Sequence, residues 1–151
     1  MLANLHPTII IINLLVLGAG MTVHEFAHNY VAYKMGDPVP KMQGRLTLNP
    51  LVHINWVGWL MFAIIGFGVL GSAPISAQRM RDPRWGFLAA VAAGPFSNLA
   101  LAVVAAIIMR IVGVNIEGFL YFQPNSIIDF RSFFAAFMFA MVYMNVLLFV
   151  F

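Results

Sequence analysis

The sequence predicts an all-α membrane protein: three membrane-spanning helices, a short re-entrant or fourth hydrophobic segment, and a small hairpin-like element near residues 39–55. Three observations predict it. Hydrophobic residues make up 62% of the 151 and charged residues only 9%, far from the balance of a soluble domain. The hydrophobic residues gather in long blocks rather than at the spacing of half-buried helices. Most of the Lys and Arg lie near the ends of those blocks, where such residues set topology. By length the chain is one domain, residues 1–151.

The first block runs from 7 to 33, and Pro7 suits a helix start because its missing N–H would be unbonded there anyway. The residues before it, MLANLHP, carry no basic region of a cleavable signal, so this segment is expected to be retained, with His6 at headgroup level. The second block, 56–70, holds Gly58, Gly66 and Gly68. As a helix its roughly 15 residues reach about 23 Å, short of the roughly 30 Å hydrocarbon core. The third and fourth blocks, 86–112 and 133–151, are long enough to span or nearly so, and 115–131 between them reads as a mixed polar and aromatic loop.

The second block decides the topology. Six of the eight Lys and Arg (Lys34, Lys41, Arg45, Arg79, Arg81 and Arg84) lie between the end of the first block and the start of the third. A crossing would split them evenly over two sides and erase the orientation signal. Re-entry puts all six on one side, with only Asp37 and Asp82 against them, as the positive-inside rule expects. Re-entry is therefore expected, with 34–85 cytoplasmic and the N-terminus outside; a short tilted span through a locally thinned bilayer is the alternative. Residues 39–55, with Pro40, Gly44, Pro50 and the alternating RLTL at 45–48, read as a hairpin or extended element that offers an edge to an extended substrate.

Composition also excludes. No cysteine is present, so there is no disulfide framework or thiolate site, and any metal must be held by imidazole and carboxylate. The net charge of +3 forms no basic stripe with interleaved aromatics, so no nucleic-acid partner is expected; the lipid bilayer is one.

Within the first block stands HEFAH, residues 24–28. On a helix His24 and His28 share one face a turn apart and can chelate one divalent ion, with zinc the natural choice for imidazole nitrogen. Glu25 falls beside the metal rather than on it, where a carboxylate takes a proton from attacking water. HExxH is short and matches many surface helices by chance, but ionisable residues at membrane depth are expensive and mark function. His53 is ambiguous: it lines the site or forms a structural hydrogen bond. In the third block Gly94 and Pro95 break the helix for close approach of a neighbour, and Asn98, a turn later, must find a polar partner.

With GRLTLNPLVHIN at 44–55 and AAGPFSNLALA at 92–102, the sequence resembles the site-2 protease family of intramembrane zinc metalloproteases, in particular its small bacterial and archaeal members without an inserted periplasmic domain. The resemblance implies one zinc ion on His24 and His28, Glu25 as general base, and a GPxxN element of Gly94, Pro95 and Asn98 that faces the metal. There Asn98 would hold substrate or stabilise the oxyanion; a plain interhelical hydrogen bond is its alternative. It implies an endopeptidase of the cell inner or plasma membrane, with a site nearer the cytoplasm, that cuts a peptide bond in or near a transmembrane helix of another membrane protein.

Two departures matter. The family's third ligand is an aspartate in an NPxPPLDG-like motif, and after Asn145 this sequence reads VLLFVF without it. The chain is therefore expected to be a C-terminally truncated form of a longer enzyme, with weak metal binding and little or no proteolysis. Asp129 lies at the wrong end of the fourth block to substitute; His53 is the better local replacement. Asn55 stands where many relatives carry aspartate. The competing reading is a degenerate, non-catalytic scaffold or binding protein of the same fold. A metal transporter would need further intramembrane carboxylates, which are lacking.

Overall fold

The computed structural model describes residues 7–53, 55–65, 73–114 and 130–150. His6, Gly66, Gly68, Asp129 and most of the loop expected at 115–131 lie outside the described residues. Among the described residues six α-helices follow one another: α1 (Pro7–Lys34), α2 (Val39–Met42), α3 (Pro50–His53), α4 (Trp56–Ile65), α5 (Pro83–Val112) and α6 (Phe130–Val150), with a 3-10 turn at Ala77–Arg79 before α5. Most of the described residues are helical, and α1, α5 and α6 are long and apolar enough to cross a membrane.

Local chemistry sets the ends of these helices. α1 ends in a Schellman motif: Gly36, at φ 113°, donates to the Tyr33 carbonyl, and Asp37 N–H donates to that of Ala32. Asp82 caps α5 by accepting from Arg84 and Trp85 N–H at 3.1 and 3.0 Å, and Pro83 follows in the first turn. Gly113, left-handed at φ 73°, closes α5.

α1 and α5 run antiparallel, which three contacts establish. Arg81 N–H donates to the Met35 carbonyl at 2.9 Å, His28 reaches the Ala90 carbonyl, and His24 meets Asn98. As the numbers fall along α1 they rise along α5. The chain thus leaves α1 and enters α5 at the same end of the bundle, as re-entry requires. α4 lies beside the middle of α1: the Trp59 ring is 3.6 Å from where a Gly18 Cβ would stand, about 24 Å along the helix from Lys34.

α5 buries a single stripe, Gly86, Ala90, Gly94, Asn98, Ala102, Ala105 and Met109, spaced by three and four. Most of it is small, so neighbouring backbones come close, the usual basis of helix association where lipid removes the hydrophobic drive. α6 packs parallel to α1, with Ala136 and Ala140 against Ile12 and Val16, and Asn145 against Gly20.

The hairpin expected near 39–55 is not formed. Among the described residues this stretch holds no strand; α2 and α3 are single turns of helix begun near Pro40 and at Pro50. Gly44, at φ 66°, turns the chain after α2. Thr47 Oγ1 then accepts from Asn49 N–H at 3.2 Å, and Asn49 Oδ1 from Leu51 N–H at 3.1 Å. Such local bonds satisfy backbone groups that a strand would give to a partner, and the alternation of RLTL finds no partner strand here.

Candidate metal centre

Histidines four apart on α1 stack into one turn of the same face. The His24 and His28 rings meet edge to face with centroids 4.6 Å apart. Opposite them on α5 is Gly94. A Cβ built there would lie 2.7 Å from His24 Nε2 and would overlap His28 Nε2, so both Nε2 atoms converge on the bare Cα of one glycine. Any side chain at 94 would fill the space they share.

The ring orientations are set from behind. His28 Nδ1–H donates to the Ala90 carbonyl at 2.7 Å. A carbonyl only accepts, so the proton is on Nδ1 and the lone pair on Nε2 faces the shared space, the arrangement a metal-binding histidine uses. Pro95 sits inside α5 and has no N–H for the Val91 carbonyl. It interrupts the hydrogen-bond ladder in the turn that receives His28. His24 Nδ1 lies 3.0 Å from the Asn98 amide, and Asn98 is completely buried.

Glu25 is 4% exposed, and its Oε2 has no hydrogen-bond partner among the described residues. An unpartnered carboxylate oxygen next to two converging imidazoles suits a proton-accepting base beside a cation. Arg45, from the loop between α2 and α3, is the positive charge that acts on Glu25. The donor set therefore fits zinc in two nitrogens and an adjacent base. It does not complete the shell: among the described residues no third His, Asp or Glu joins the pair. His53 is buried, and its ring bonds the Thr47 carbonyl through Nε2 at 2.7 Å, which pins the loop between α2 and α3.

Beside the histidine face a groove of about 490 Å³ runs between α1 and the stretch 48–59, lined by Leu15, Gly18, Thr22, Val23, Leu48, Pro50 and Trp59 among others. It ends next to His24 and Glu25 in the sequence of α1. Sequence reasoning placed His24, Glu25, His28, Gly94, Pro95 and Asn98, and the fold brings the α1 and α5 members together. It missed Arg45 as a neighbour of Glu25. It also missed Asp37, fully buried, which accepts from Val39 and Ser76 N–H at 3.1 and 2.8 Å and pairs with Arg79 at 3.4 Å. The signal for Asp37 was present in Gly-Asp-Pro at the end of a membrane helix, but was counted only as charge.

No family model matches the chain, and no solved structure matches it. Two curated proteins do. The chain is 46% identical over 81 residues to "Putative zinc metalloprotease YwhC" of Bacillus subtilis, covering 54% of this chain and 37% of that protein. It is 33% identical over 88 residues to "Putative zinc metalloprotease Rip2" of Mycolicibacterium smegmatis, covering 55% and 34%. The chain thus spans about a third of the length of the curated relatives it matches. Both names support the resemblance drawn from HEFAH, NPLVHIN and AGPFSN.

Proposed function

We propose that this chain carries the core of a site-2-type zinc metalloendopeptidase that cuts a peptide bond within or near a transmembrane segment of another membrane protein. The convergence of His24 and His28 Nε2 on Gly94, with the unpartnered Glu25 oxygen beside them, carries the reading. His24 and His28 would hold the ion, and a third ligand comes from a residue outside the described ones. When bound, zinc supplies Lewis acidity to water and to a peptide carbonyl.

The chain's own residues supply the rest. Glu25 takes the proton of the attacking water and returns it to the leaving amine; its burial keeps bulk water from competing. The groove between α1 and the stretch 48–59 receives a substrate segment that has unwound, since an intact helix hides its carbonyls in internal hydrogen bonds. Gly94 and Pro95 leave room for that backbone, and the amide of Asn98 offers a donor toward the scissile carbonyl oxygen, a kind of contact worth about 3 kcal/mol of barrier. His53 acts on substrate indirectly, by holding the loop that walls the groove. The basic residues at the shared end of α1 and α5 orient that end to the cytoplasm of the cell membrane.

The deciding experiment is Glu25→Gln in the full-length protein with a membrane-tethered model substrate. Zinc binding is retained and cleavage falls by about 10² to 10⁴. Undiminished cleavage removes Glu25 from the reaction, whereas a wild-type protein that cleaves nothing favours a scaffold of the same fold.

A further inference from the structure

We propose that Asn98 is a positioning residue that holds His24 in the tautomer a metal requires, by accepting the Nδ1–H of the ring through its amide oxygen. This rests on the metalloprotease reading above and adds a role for Asn98 behind the ligand rather than toward the substrate.

His28 sets the comparison. The Ala90 carbonyl forces its proton onto Nδ1, so its Nε2 presents a lone pair to the space over Gly94. His24 presents its Nε2 to the same space, 2.7 Å from the position a Gly94 Cβ would take. Its Nδ1 faces Asn98, 74 residues away in sequence and wholly buried, at 3.0 Å. An amide can meet that nitrogen in two ways, which differ by a half-turn that shape alone does not distinguish.

With the NH₂ toward the ring, Nδ1 accepts, the His24 proton sits on Nε2, and it points into the space the two histidines share. The Asn98 oxygen is then buried with no partner. With the oxygen toward the ring, Nδ1–H donates to it, that oxygen is satisfied, and Nε2 of His24 matches Nε2 of His28. The NH₂ then takes the buried, unpartnered position facing away from the ring, where only a group that enters the site could accept from it. Only the second arrangement makes both imidazoles ligands, and it lets one side chain perform both duties with different atoms.

The test reads tautomers directly, without metal or turnover. Protein labelled with ¹⁵N in its histidine rings is studied metal-free in nanodiscs by two-bond ¹H–¹⁵N correlation, with signals assigned from His→Gln variants at His6, His24, His28 and His53. Both His24 and His28 are expected to carry the proton on Nδ1. Asn98→Asp, which can accept but not donate, keeps this pattern at His24. Asn98→Leu moves His24 toward the Nε2–H form, leaves His28 unchanged, and weakens zinc binding by about 10- to 100-fold in chelator competition.

A wild-type His24 with its proton on Nε2 overturns the proposal, whatever the variants do. So does an Asn98→Leu protein with the tautomer and zinc affinity of the wild type. If the expected tautomers appear and the full-length protein takes no zinc, the positioning stands and the metalloprotease reading fails. Zinc binding with the opposite tautomer fails the positioning alone.

Discussion

Replacing Gly94 by alanine adds one methyl group at the point where both histidine nitrogens converge. Ordinary van der Waals contact begins near 3.4 Å, yet His24 Nε2 stands 2.7 Å from the new carbon and His28 Nε2 and Cε1 stand closer, so each ring must withdraw by at least about 0.7 Å. Metal–ligand distances tolerate roughly 0.2 Å. Alanine is favoured over glycine in a helix by about 1 kcal/mol, which offsets part of an overpacking penalty of about 1–3 kcal/mol. The fold should therefore survive with a net loss of no more than about 2 kcal/mol, while zinc affinity falls at least about tenfold, or ~1.4 kcal/mol. Gly86→Ala is the control on the same stripe. Its nearest neighbours, at 3.2 Å, are the Met35 Cβ and the flexible Met80 Sδ, so zinc affinity should be unchanged. Both variants are compared in detergent by competition with a chromophoric chelator and by thermal melting. Wild-type zinc affinity in the Gly94→Ala protein would refute the placement of the metal between the two imidazoles and α5.

Asp37→Ala leaves the N–H groups of Val39 and Ser76 without their acceptor, at about 1–3 kcal/mol each if both stay dry, so a total loss of about 2–6 kcal/mol is expected in thermal unfolding. An unchanged midpoint would remove the clasp from the stability of the fold. Gly20→Ala places a methyl 2.9 Å from Asn145 Oδ1 and 3.0 Å from Leu148, and should destabilise the pairing of α1 with α6 by about 1–3 kcal/mol, measured in the same way. Because the chain has no cysteine, single cysteines at Lys41 and Gln78 can be labelled from either face of a sealed vesicle. Both should react from the same side, and opposite sides would contradict the shared end of α1 and α5.

The histidine face of α1 was legible because a helix converts a spacing of four into a shared surface, and because charge is too expensive in lipid to be incidental. The antiparallel pairing of α1 and α5 was legible from the six basic residues between them. The environment of each histidine was not. The Ala90 carbonyl that fixes His28 is a backbone group with no signature of its own, and it serves only because α5 arrives in the right register. The loop misled for a related reason: the alternation in RLTL specifies a strand only where another strand exists to pair with it. Pro50 and the Asn49 side chain settled that stretch locally, and a bond from His53 to Thr47 holds it.

The hydrogen bond from Arg81 to the Met35 carbonyl, reinforced by Asp37 on Ser76 and Arg79, makes everything between α1 and α5 a closed insert with fixed ends. Because the entropy of closing such a loop rises by only about 0.6 kcal/mol for each doubling of its length, the insert can be lengthened, shortened or exchanged with little effect on the helix pair. The insert carries Leu48, Pro50 and Trp59 of the groove wall and also Arg45, whose charge acts on Glu25, so the groove and the setting of Glu25 change together with it. Swapping the insert between related chains should therefore alter the groove and the setting of Glu25 at once while leaving the pairing of α1 with α5 in place.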